Sequence, residues 1–236
     1  MLRGRDIMVE AGQLLQDEEH VRWPLAELGG WINAAVDAIL LAKPSASSTS
    51  IVMPLQPGTL QQVPQSAAPG APTPLRLLGI NRNIITAGPP RAGGRVIRPT
   101  KRSLLDAQEP NWHDRRHVPY RSEVRQIVFD EENPLEFYVY PGNDGRGLVE
   151  AIVATRPARL APTGDPTLLD SWLGDVGLSE IYSEPIVDYA CYRAQQKDDY
   201  AANMGRAAVH YQNFATAIGL KIQVEGATSP NRDRKK

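Results

Sequence analysis

Apolar residues recur at helical spacing near the start of the chain. They predict a first helix over 3–18 and a longer second helix over 24–43, which Pro44 stops. Gly29 and Gly30 interrupt the second helix, and each glycine lowers helicity by roughly 1 kcal/mol. We therefore expect close packing or a kink there. The apolar positions that define the two helices are Ile7, Ala11, Leu14 and Leu15, and then Leu28, Ile32, Ala35, Ile39 and Ala42.

The same spacing returns near the other end, where two helices folded back on each other are predicted between Ser183 and Gly219. Ser183 or Glu184 is expected to cap the first helix, with Pro185 near its start. Asp198 is the expected N-cap of the second helix, and Gly219 occupies the expected C-cap position. The predicted apolar face of the second helix consists of Tyr200, Met204, Ala208, Tyr211, Ala215 and Ile218.

The middle of the chain has a different pattern, because most of its prolines and glycines lie there. The chain has 20 prolines and 19 glycines, which is many for a helical protein. The segment SASSTS (45–50) predicts a polar linker, and QSAAPGAPTP (65–74) and TAGPPRAGG (86–94) predict exposed loops. Between them we expect extended segments, followed by a short helix that Ser103 caps; the extended segments are 51–64, 74–84 and 95–102.

The strand pattern is strongest between residues 124 and 157. Apolar or alternating runs predict strands over 124–130, 135–141 and 148–157, and the Asp-Gly pair in NDGRG marks the turn before the third. Because short loops join the three strands, we expect an antiparallel meander. A loop and a short helix around 168–172 follow.

Helices at both ends with strands between them predict an α+β fold. We expect a helical bundle built from the N- and C-terminal helices, with a central antiparallel β region and long Pro/Gly-rich loops. The predicted division is a single domain over 1–219, whose helical parts are 1–44 and 168–219 and whose β-rich insertion is 45–167. The remainder, 220–236, is basic near its end and is expected to form an extended tail that is disordered when free.

Composition excludes several classes of protein. A net charge of −1, with 22% charged residues, gives no global field that would attract nucleic acid or a membrane. No run approaches about eighteen apolar residues, and the acid-rich N-terminus does not resemble a signal peptide, so we expect no membrane partner and a cytoplasm-like setting. The single cysteine, Cys191, excludes a disulfide framework and is expected to be a buried, inert thiol.

Candidate catalytic and metal-binding residues are few. His113, Asp114 and His117 could in principle bind a metal, but two arginines between them would repel a cation. His210 is expected to be a satisfied histidine at a helix interface. The chain contains no phosphate-binding glycine loop, nucleophile elbow or zinc-binding helix motif. We therefore expect no enzyme activity, no metal and no cofactor.

A cluster of basic residues accompanies the second loop and the strand after it. It could face DNA or a partner, or it could protect a sheet edge from pairing, and the second interpretation is favoured because the chain is nearly neutral overall. The cluster consists of Arg91, Arg95, Arg98, Lys101 and Arg102.

Several blocks of sequence, in order, resemble the head-to-tail connector or adaptor proteins of tailed phages, which are virion neck proteins under the portal. They cover most of the chain between about Trp23 and Gly219 and contain no catalytic signature. The blocks are ELGGWINAAVDAILLAKP, PGTLQQVP, LRLLGINRN, GRVIRPTKRSLLDAQEPNWHD, FDEENP with FYVYPG, and IVDYACYRAQQKDDYAANMGRAAVHYQNFATAIG.

The resemblance implies a structural virion protein, assembled in the host cytoplasm and located at the neck. Such adaptors form a homo-oligomeric ring, usually of twelve copies, between the portal protein and the tail tube or nozzle protein. Genomic DNA passes through the channel without sequence-specific contact. The C-terminal segment typically docks on the portal, which here implies the tail residues Leu220, Lys221, Ile222, Arg232, Arg234, Lys235 and Lys236.

Two other functions stay open. A tail completion or stopper protein of the neck is the alternative nearest in kind, and a DNA-binding module is the more distant one. Four tyrosines are expected to pack in the core or between subunits, and the sequence does not separate these roles; they are Tyr189, Tyr192, Tyr200 and Tyr211.

Overall fold

The computed structural model describes residues 1–65, 71–130, 132–197 and 203–228, with side chains as far as Gly219. The chain forms two compact units, the helical unit (Met1–Ala46 with Pro157–Lys236) and the β unit (Ser47–Arg156). In chain order the elements are α1 (Gly4–Leu15), α2 (Leu25–Ala42), β1 (Ser48–Pro54), β2 (Gly58–Gln62), β3 (Thr73–Thr86), β4 (Ala92–Val96), β5 (Arg98–Pro99), α3 (Arg102–Gln108), β6 (Gln126–Phe129), β7 (Glu136–Asn143), β8 (Leu148–Arg156), α4 (Ser183–Gln195) and α5 (Met204–Thr228), with short 3-10 helices at Pro44–Ala46, Leu169–Trp172 and Glu180–Tyr182.

The predicted α+β class is confirmed. In the helical unit, α4 packs against α1, α2 and α5, so the N-terminal helices pack on the C-terminal ones. The β unit contains two four-stranded, mostly antiparallel sheets. The 3-10 helix Leu169–Trp172 matches the short helix predicted around 168–172.

The helix predicted over 3–18 is confirmed as α1, but it ends earlier. Gln16 adopts a left-handed conformation with φ of 56°, and its N–H bonds back to the last turn. Asp17 then holds the following loop, because its carboxylate accepts N–H bonds from Val21 (3.1 Å), Arg22 and Trp23 (2.9 Å each). Of the predicted apolar positions of α1, Leu14 is exposed rather than buried.

Close packing at the glycine pair is confirmed at Gly29. A Cβ added there would lie 2.7 Å from Cη2 of Trp172, whereas one at Gly30 would meet nothing within 4 Å. By length and composition, α2 is the one helix among the described residues that could span a membrane. Eight of its residues are buried in the helical unit, as in the core helix of a folded protein; Ala42, predicted on the apolar face, is exposed.

The two sheets of the β unit have the strand orders β1-β8-β3-β4 and β2-β7-β6-β5. Alternating inward side chains from both sheets form one shared apolar core, as in a β-sandwich. Its buried members are Met53, Leu55, Val63, Leu77, Ile80, Ile97, Val124, Ile127, Phe137, Val139, Val149, Ala151 and Val153.

The β unit begins and ends at adjacent positions. Ser48 lies opposite Ala154 in the β1–β8 pairing. Just before it, the Ser47 carbonyl accepts the N–H of Thr155 at 2.8 Å, and the two hydroxyls lie 3.3 Å apart. The chain therefore enters and leaves this unit along one antiparallel pair.

The predicted meander is wrong at its third strand. β6 and β7 are antiparallel neighbours, but β8 lies in the other sheet between β1 and β3. The buried Asn143 directs this change of sheet, because its Oδ1 accepts N–H bonds from Gly145 (2.8 Å) and Gly147 (3.2 Å) and its Nδ2 donates to Arg121 and Ser122. A central strand also suits β8, which is largely buried along its length.

Several predicted ends of elements differ from the structure. Ser103 and Ser183 lie inside the first turns of α3 and α4, and neither helix has a side-chain cap. The predicted linker 45–50 becomes a strand from Ser48, since β8 offers it a partner. Asp198, Tyr200 and part of the 65–74 loop lie outside the described residues.

Candidate functional site

Helix α4 anchors the part of the helical unit that contains the predicted tyrosines. It buries Ile186, Ala190 and Ala194, and the Ala194 carbonyl accepts the indole N–H of Trp23 at 3.3 Å. Cys191 is fully buried in α4, and burial, with smaller contributions from Asp188 and Glu10, raises the pKa of its thiol to about 12. Cys191 therefore contributes to core packing and does not act as a nucleophile.

Aromatic rings join α4 to α5. Tyr189 contacts Phe214 with ring centroids 4.9 Å apart, and Tyr192 contacts Tyr211 at 5.0 Å. The two pairs define an antiparallel helix hairpin. Beside them His210 on α5 lies 2.8 Å through its Nδ1 from Oδ1 of Asp188, so this histidine is satisfied at a helix interface as predicted.

The predicted apolar face of α5 is only partly right. Ile218 is buried, but the side facing α4 is completed by Ala207 and Phe214. The other predicted members in the described residues are exposed, with Met204 67% and Tyr211 50% exposed, although Tyr211 keeps its contact with Tyr192 of α4. The error arises because most apolar residues of α5 lie in one arc that is wider than the side covered by α4. Spacing alone does not indicate which part of this arc is buried.

This arrangement leaves α5 with an apolar outer face, which we define as Met204, Ala208, Tyr211 and Ala215, all of them exposed. It borders the side that packs on α4, where Tyr211 contacts Tyr192. From Met204 to Gly219 the helix carries a single Lys, Arg, Asp or Glu residue, Arg206. A solvent-facing helix normally carries several charges. Depletion of charge combined with an exposed tyrosine is the composition of an interface core.

Some of the predicted tail residues lie in α5, and the others lie outside the described residues. α5 does not end at the predicted Gly219 cap; its backbone stays helical to Thr228 and so includes Leu220, Lys221 and Ile222. The pairs Tyr189–Phe214 and Tyr192–Tyr211 set the antiparallel register of α4 and α5. In this register Ser183, at the start of α4, lies opposite about residue 220. The last turns of α5 therefore extend past α4 by about 12 Å. The remaining tail residues, Arg232, Arg234, Lys235 and Lys236, lie outside the described residues.

The structure does not bring the basic cluster together as one cationic surface. Arg91 is 2.9 Å from Oε1 of Glu150, Arg95 is 3.4 Å from Glu123, and Arg102 is 3.7 Å from Asp106. Arg91 immediately precedes β4 and Arg98 lies in β5, and both strands are sheet edges. This placement matches the edge-protecting interpretation, because charges on an edge strand oppose pairing with other chains.

An open groove of about 710 Å³ lies beside the start of α3. Its charged lining has both signs, with Lys101 and Arg102 facing Asp130 and Glu132. Backbone N–H bonds from Glu132 and Asn133 hold the pKa of Asp130 below its usual value. Opposite charges in an open groove largely neutralise each other, so the groove offers no strong attraction for an ion.

Of the two histidines after α3, His113 is used in packing and His117 is exposed, 3.2 Å from Asp114. The Nδ1 of His113 lies 2.8 Å from the hydroxyl of Thr59, and its ring stacks on Trp112 with centroids 3.6 Å apart. Burial, with the nearby Arg102, lowers the pKa of His113. Among the described residues, no group of three or more His, Cys, Asp or Glu side chains could hold a metal ion.

An uncharged outer helix face and side chains committed to packing are typical of a protein that acts by assembly. Comparison with known families agrees with this class. The family model for the SU10 adaptor protein matches residues 4–234, and the chain belongs to the SU10 adaptor protein family. This is a family of phage adaptor proteins, which are structural components of the virion and not enzymes. No curated protein matches the chain.

Proposed function

We propose that the protein is a head-to-tail adaptor that forms a homo-oligomeric ring, of twelve copies, between the portal protein and the tail tube or nozzle protein. Genomic DNA passes through the ring without sequence-specific contact, which suits a chain of net charge −1. The observation that carries the proposal is the exposed outer face of α5, which has the composition of a protein contact in a family of virion adaptors.

In this proposal the outer face of α5 contacts the neighbouring copy. A cyclic ring needs a heterologous contact, in which one surface of each copy meets a different surface of the next. Tyr211 is the expected anchor, because a half-exposed tyrosine beside small residues can enter a pocket of the neighbour at low entropic cost. Tyr192 contacts the Tyr211 ring across the α4–α5 interface, and Tyr189 contacts Tyr192 within α4, so the two rings hold the anchor in place.

Portal docking is assigned to the end of α5 and the residues that follow it. The helix offers its last turns beyond the start of α4, and the basic tail can pair with acidic side chains of a partner. The docking element thus begins as a preformed helix, which reduces the entropy lost on binding.

The alternative nearest in kind is a tail completion or stopper protein, which would use the same assembly surfaces at another level of the neck. A DNA-binding module has less support, because Arg91, Arg95 and Arg102 of the basic cluster already pair with carboxylates. Alanine at Arg95, Arg98 and Lys101 would reveal such a module through the loss of a salt-sensitive DNA affinity.

The deciding experiment measures the mass of the purified protein, alone and mixed with the cognate portal. A 25.9 kDa chain that joins the portal as a multi-copy ring supports the proposal. Tyr211→Lys is expected to abolish the ring. Leu104→Lys is the matched control, since Leu104 is 52% exposed on a helix of the β unit. A wild-type chain that ignores the portal at every ratio would remove the adaptor function.

The docking element is tested by a chain that ends at Gly219. We expect this truncation to fold and to keep the contacts between copies, while its affinity for the portal falls sharply. Replacing the four basic residues after Thr228 by serine separates charge from helix; these residues are Arg232, Arg234, Lys235 and Lys236. Unchanged portal binding by the truncated chain would refute the assignment of docking to this segment.

A further inference from the structure

The four sheet edges of the β unit are protected unequally. β4 pairs irregularly with β3 and carries Arg95, β2 has a register shift between Gly58 and Leu60, and β5 has two residues, one of them Pro99. Bulges, charges, prolines and short length all hinder pairing with another chain. β1 has seven residues in continuous register with β8 and carries no charged side chain. In the described part of the β unit it is the longest edge strand, and its one proline, Pro54, is its last residue.

The hydrogen bonds at its two ends define which backbone groups of β1 point outward. The N–H of Thr155 donates to the Ser47 carbonyl, and the N–H of Leu55 donates to the Gly147 carbonyl. In an antiparallel pair, bonded positions alternate with non-bonded ones, so odd-numbered residues of β1 face β8. The residues whose N–H and C=O groups face away from β8 are Ser48, Ser50 and Val52, and in the described part of the chain no hydrogen bond to these groups is found.

We propose that β1 pairs with β1 of a second copy of this chain, antiparallel and about a two-fold axis at Ser50. In this register Ser50 lies opposite its own mate and Ser48 lies opposite Val52 of the other copy. The outward N–H and C=O groups of all three residues then find partners, in about six hydrogen bonds. Pro54, which has no N–H, lies beyond the paired region.

The side chains of β1 suit this pairing on both faces. On the face toward the core, Ile51 is half-buried at the margin of the apolar cluster and would meet Thr49 of the second copy. On the outer face small serines and Val52 meet each other. No like charges are brought together, which is the usual obstacle to pairing two copies of one strand.

The contact is separate from the proposed ring. A two-fold contact closes on itself and cannot build a cyclic ring, whereas the outer face of α5 is available for a heterologous contact. The inference therefore concerns pairs of the free protein, and it does not depend on the adaptor function. Loss of the pair with a retained ring, or the reverse, distinguishes the two proposals.

Cysteine cross-linking tests the register. Ser50→Cys puts two thiols on residues whose Cα atoms lie about 5.5 Å apart, within the span of a disulfide. We expect mild oxidation to give a covalent dimer on a non-reducing gel. Ser48→Cys is the matched control on the same face, because its mate lies four residues along the strand, about 13 Å away. The native Cys191 is buried and does not contribute. Equal cross-linking of both variants would overturn the register.

Sedimentation of the full chain tests the pair itself. We expect a concentration-dependent dimer, and we expect Ser50→Pro to weaken it about thirtyfold, because the pair loses two N–H donors at its axis. The outward N–H of Ser50 makes no bond to β8, so proline is compatible with the fold there. Ser50→Thr keeps the N–H and should dimerise like wild type. A wild-type chain that stays monomeric, or a Ser50→Pro chain that dimerises equally well, would overturn the proposal.

Discussion

Asn83 and Val124 are joined by two hydrogen bonds in the interior of the β unit. The side-chain Oδ1 of Asn83 accepts the Val124 N–H at 2.8 Å, and its Nδ2 donates to the Val124 carbonyl at 2.7 Å. The same Nδ2 also donates to the carbonyl of Arg95 at 2.9 Å. One buried amide thus replaces a missing strand partner for the backbone that leads into β6. It links β3 to β4 in its own sheet and to the segment before β6 of the other sheet.

Asn83→Ala is expected to lower the free energy of unfolding by roughly 2 to 4 kcal/mol, because it leaves buried N–H and C=O groups without partners. Chemical denaturation followed by fluorescence measures the change. Asn111→Ala, at an exposed asparagine, serves as the control and should change stability by less than about 0.5 kcal/mol. Equal stability of the two variants would show that the Asn83 amide is dispensable.

The glycine pair of α2 gives two opposite expectations. Gly29→Ala should destabilise the protein by about 1 to 3 kcal/mol, because the added Cβ collides with the ring of Trp172, whose indole N–H is bonded to the Pro166 carbonyl. Gly30→Ala meets open space and should stabilise by about 0.5 to 1 kcal/mol through helix propensity. Thermal unfolding of both variants decides the matter, and the same sign for both would contradict the packing at Gly29.

The packing of α5 on α4 is tested by two neighbouring aromatic residues, Phe214 and Tyr211, which both contact α4 but differ in exposure. Phe214 is 6% exposed against α4, and Phe214→Ala should cost about 2 to 4 kcal/mol of unfolding free energy. Tyr211→Ala, at a half-exposed position, should cost less than about 1 kcal/mol. Urea unfolding of both variants compares the two costs. A larger loss at Tyr211 than at Phe214 would restore the face that the sequence pattern favours.

Acid should weaken the β unit through Glu150. The hydrogen bond from Arg82, at 2.8 Å, and a second from Arg91 hold the pKa of this largely buried carboxyl below its usual value of 4.5. A depressed pKa in the folded state gives stability that is present above the unfolded value and is lost as the pH falls through the folded one. Glu150→Gln should therefore be less stable than wild type at about pH 7, with a difference that shrinks as the pH falls below about 4.5.

Unfolding curves at several pH values measure this convergence. Glu132→Gln, at an exposed position, is the control and should follow the wild-type acid profile. A gap between wild type and Glu150→Gln that stays constant down to acid pH would mean that the ion pairs contribute nothing.

Local patterns predicted the elements well, and they failed where pairing or orientation depends on distant residues. The two N-terminal helices and the strands now called β3, β6, β7 and β8 lie where their periodicity placed them, because each pattern reflects burial on a helix or strand face. The position of β8 between β1 and β3 was missed, since alternation shows that a strand is buried but not which strand lies beside it.

The candidate site was predictable in composition but not in geometry. The sequence pattern identified the tyrosines of the C-terminal hairpin, but the exposure of Tyr211 depends on which part of the apolar arc of α5 the helix α4 covers. The ion-pair partners of the basic cluster could not be predicted from local sequence either, because Glu150 lies 59 residues from Arg91 along the chain. The sequence pattern predicts a helix end at Gly219, but α5 continues through it to Thr228, because a glycine inside a helix costs only about 1 kcal/mol.

The neighbouring positions of Ser47 and Thr155 make the β unit an exchangeable module. A segment whose two ends lie side by side can be lengthened, shortened or replaced while the rest of the chain keeps its connection, which is how domain insertions are accommodated. The sequences of the helical unit and the β unit can then change at different rates. One unit can adapt to its own binding partners while the other stays constant. Expression of residues 47–156 alone gives a direct measure of this independence: a cooperative unfolding transition would establish it, and an unfolded segment would refute it.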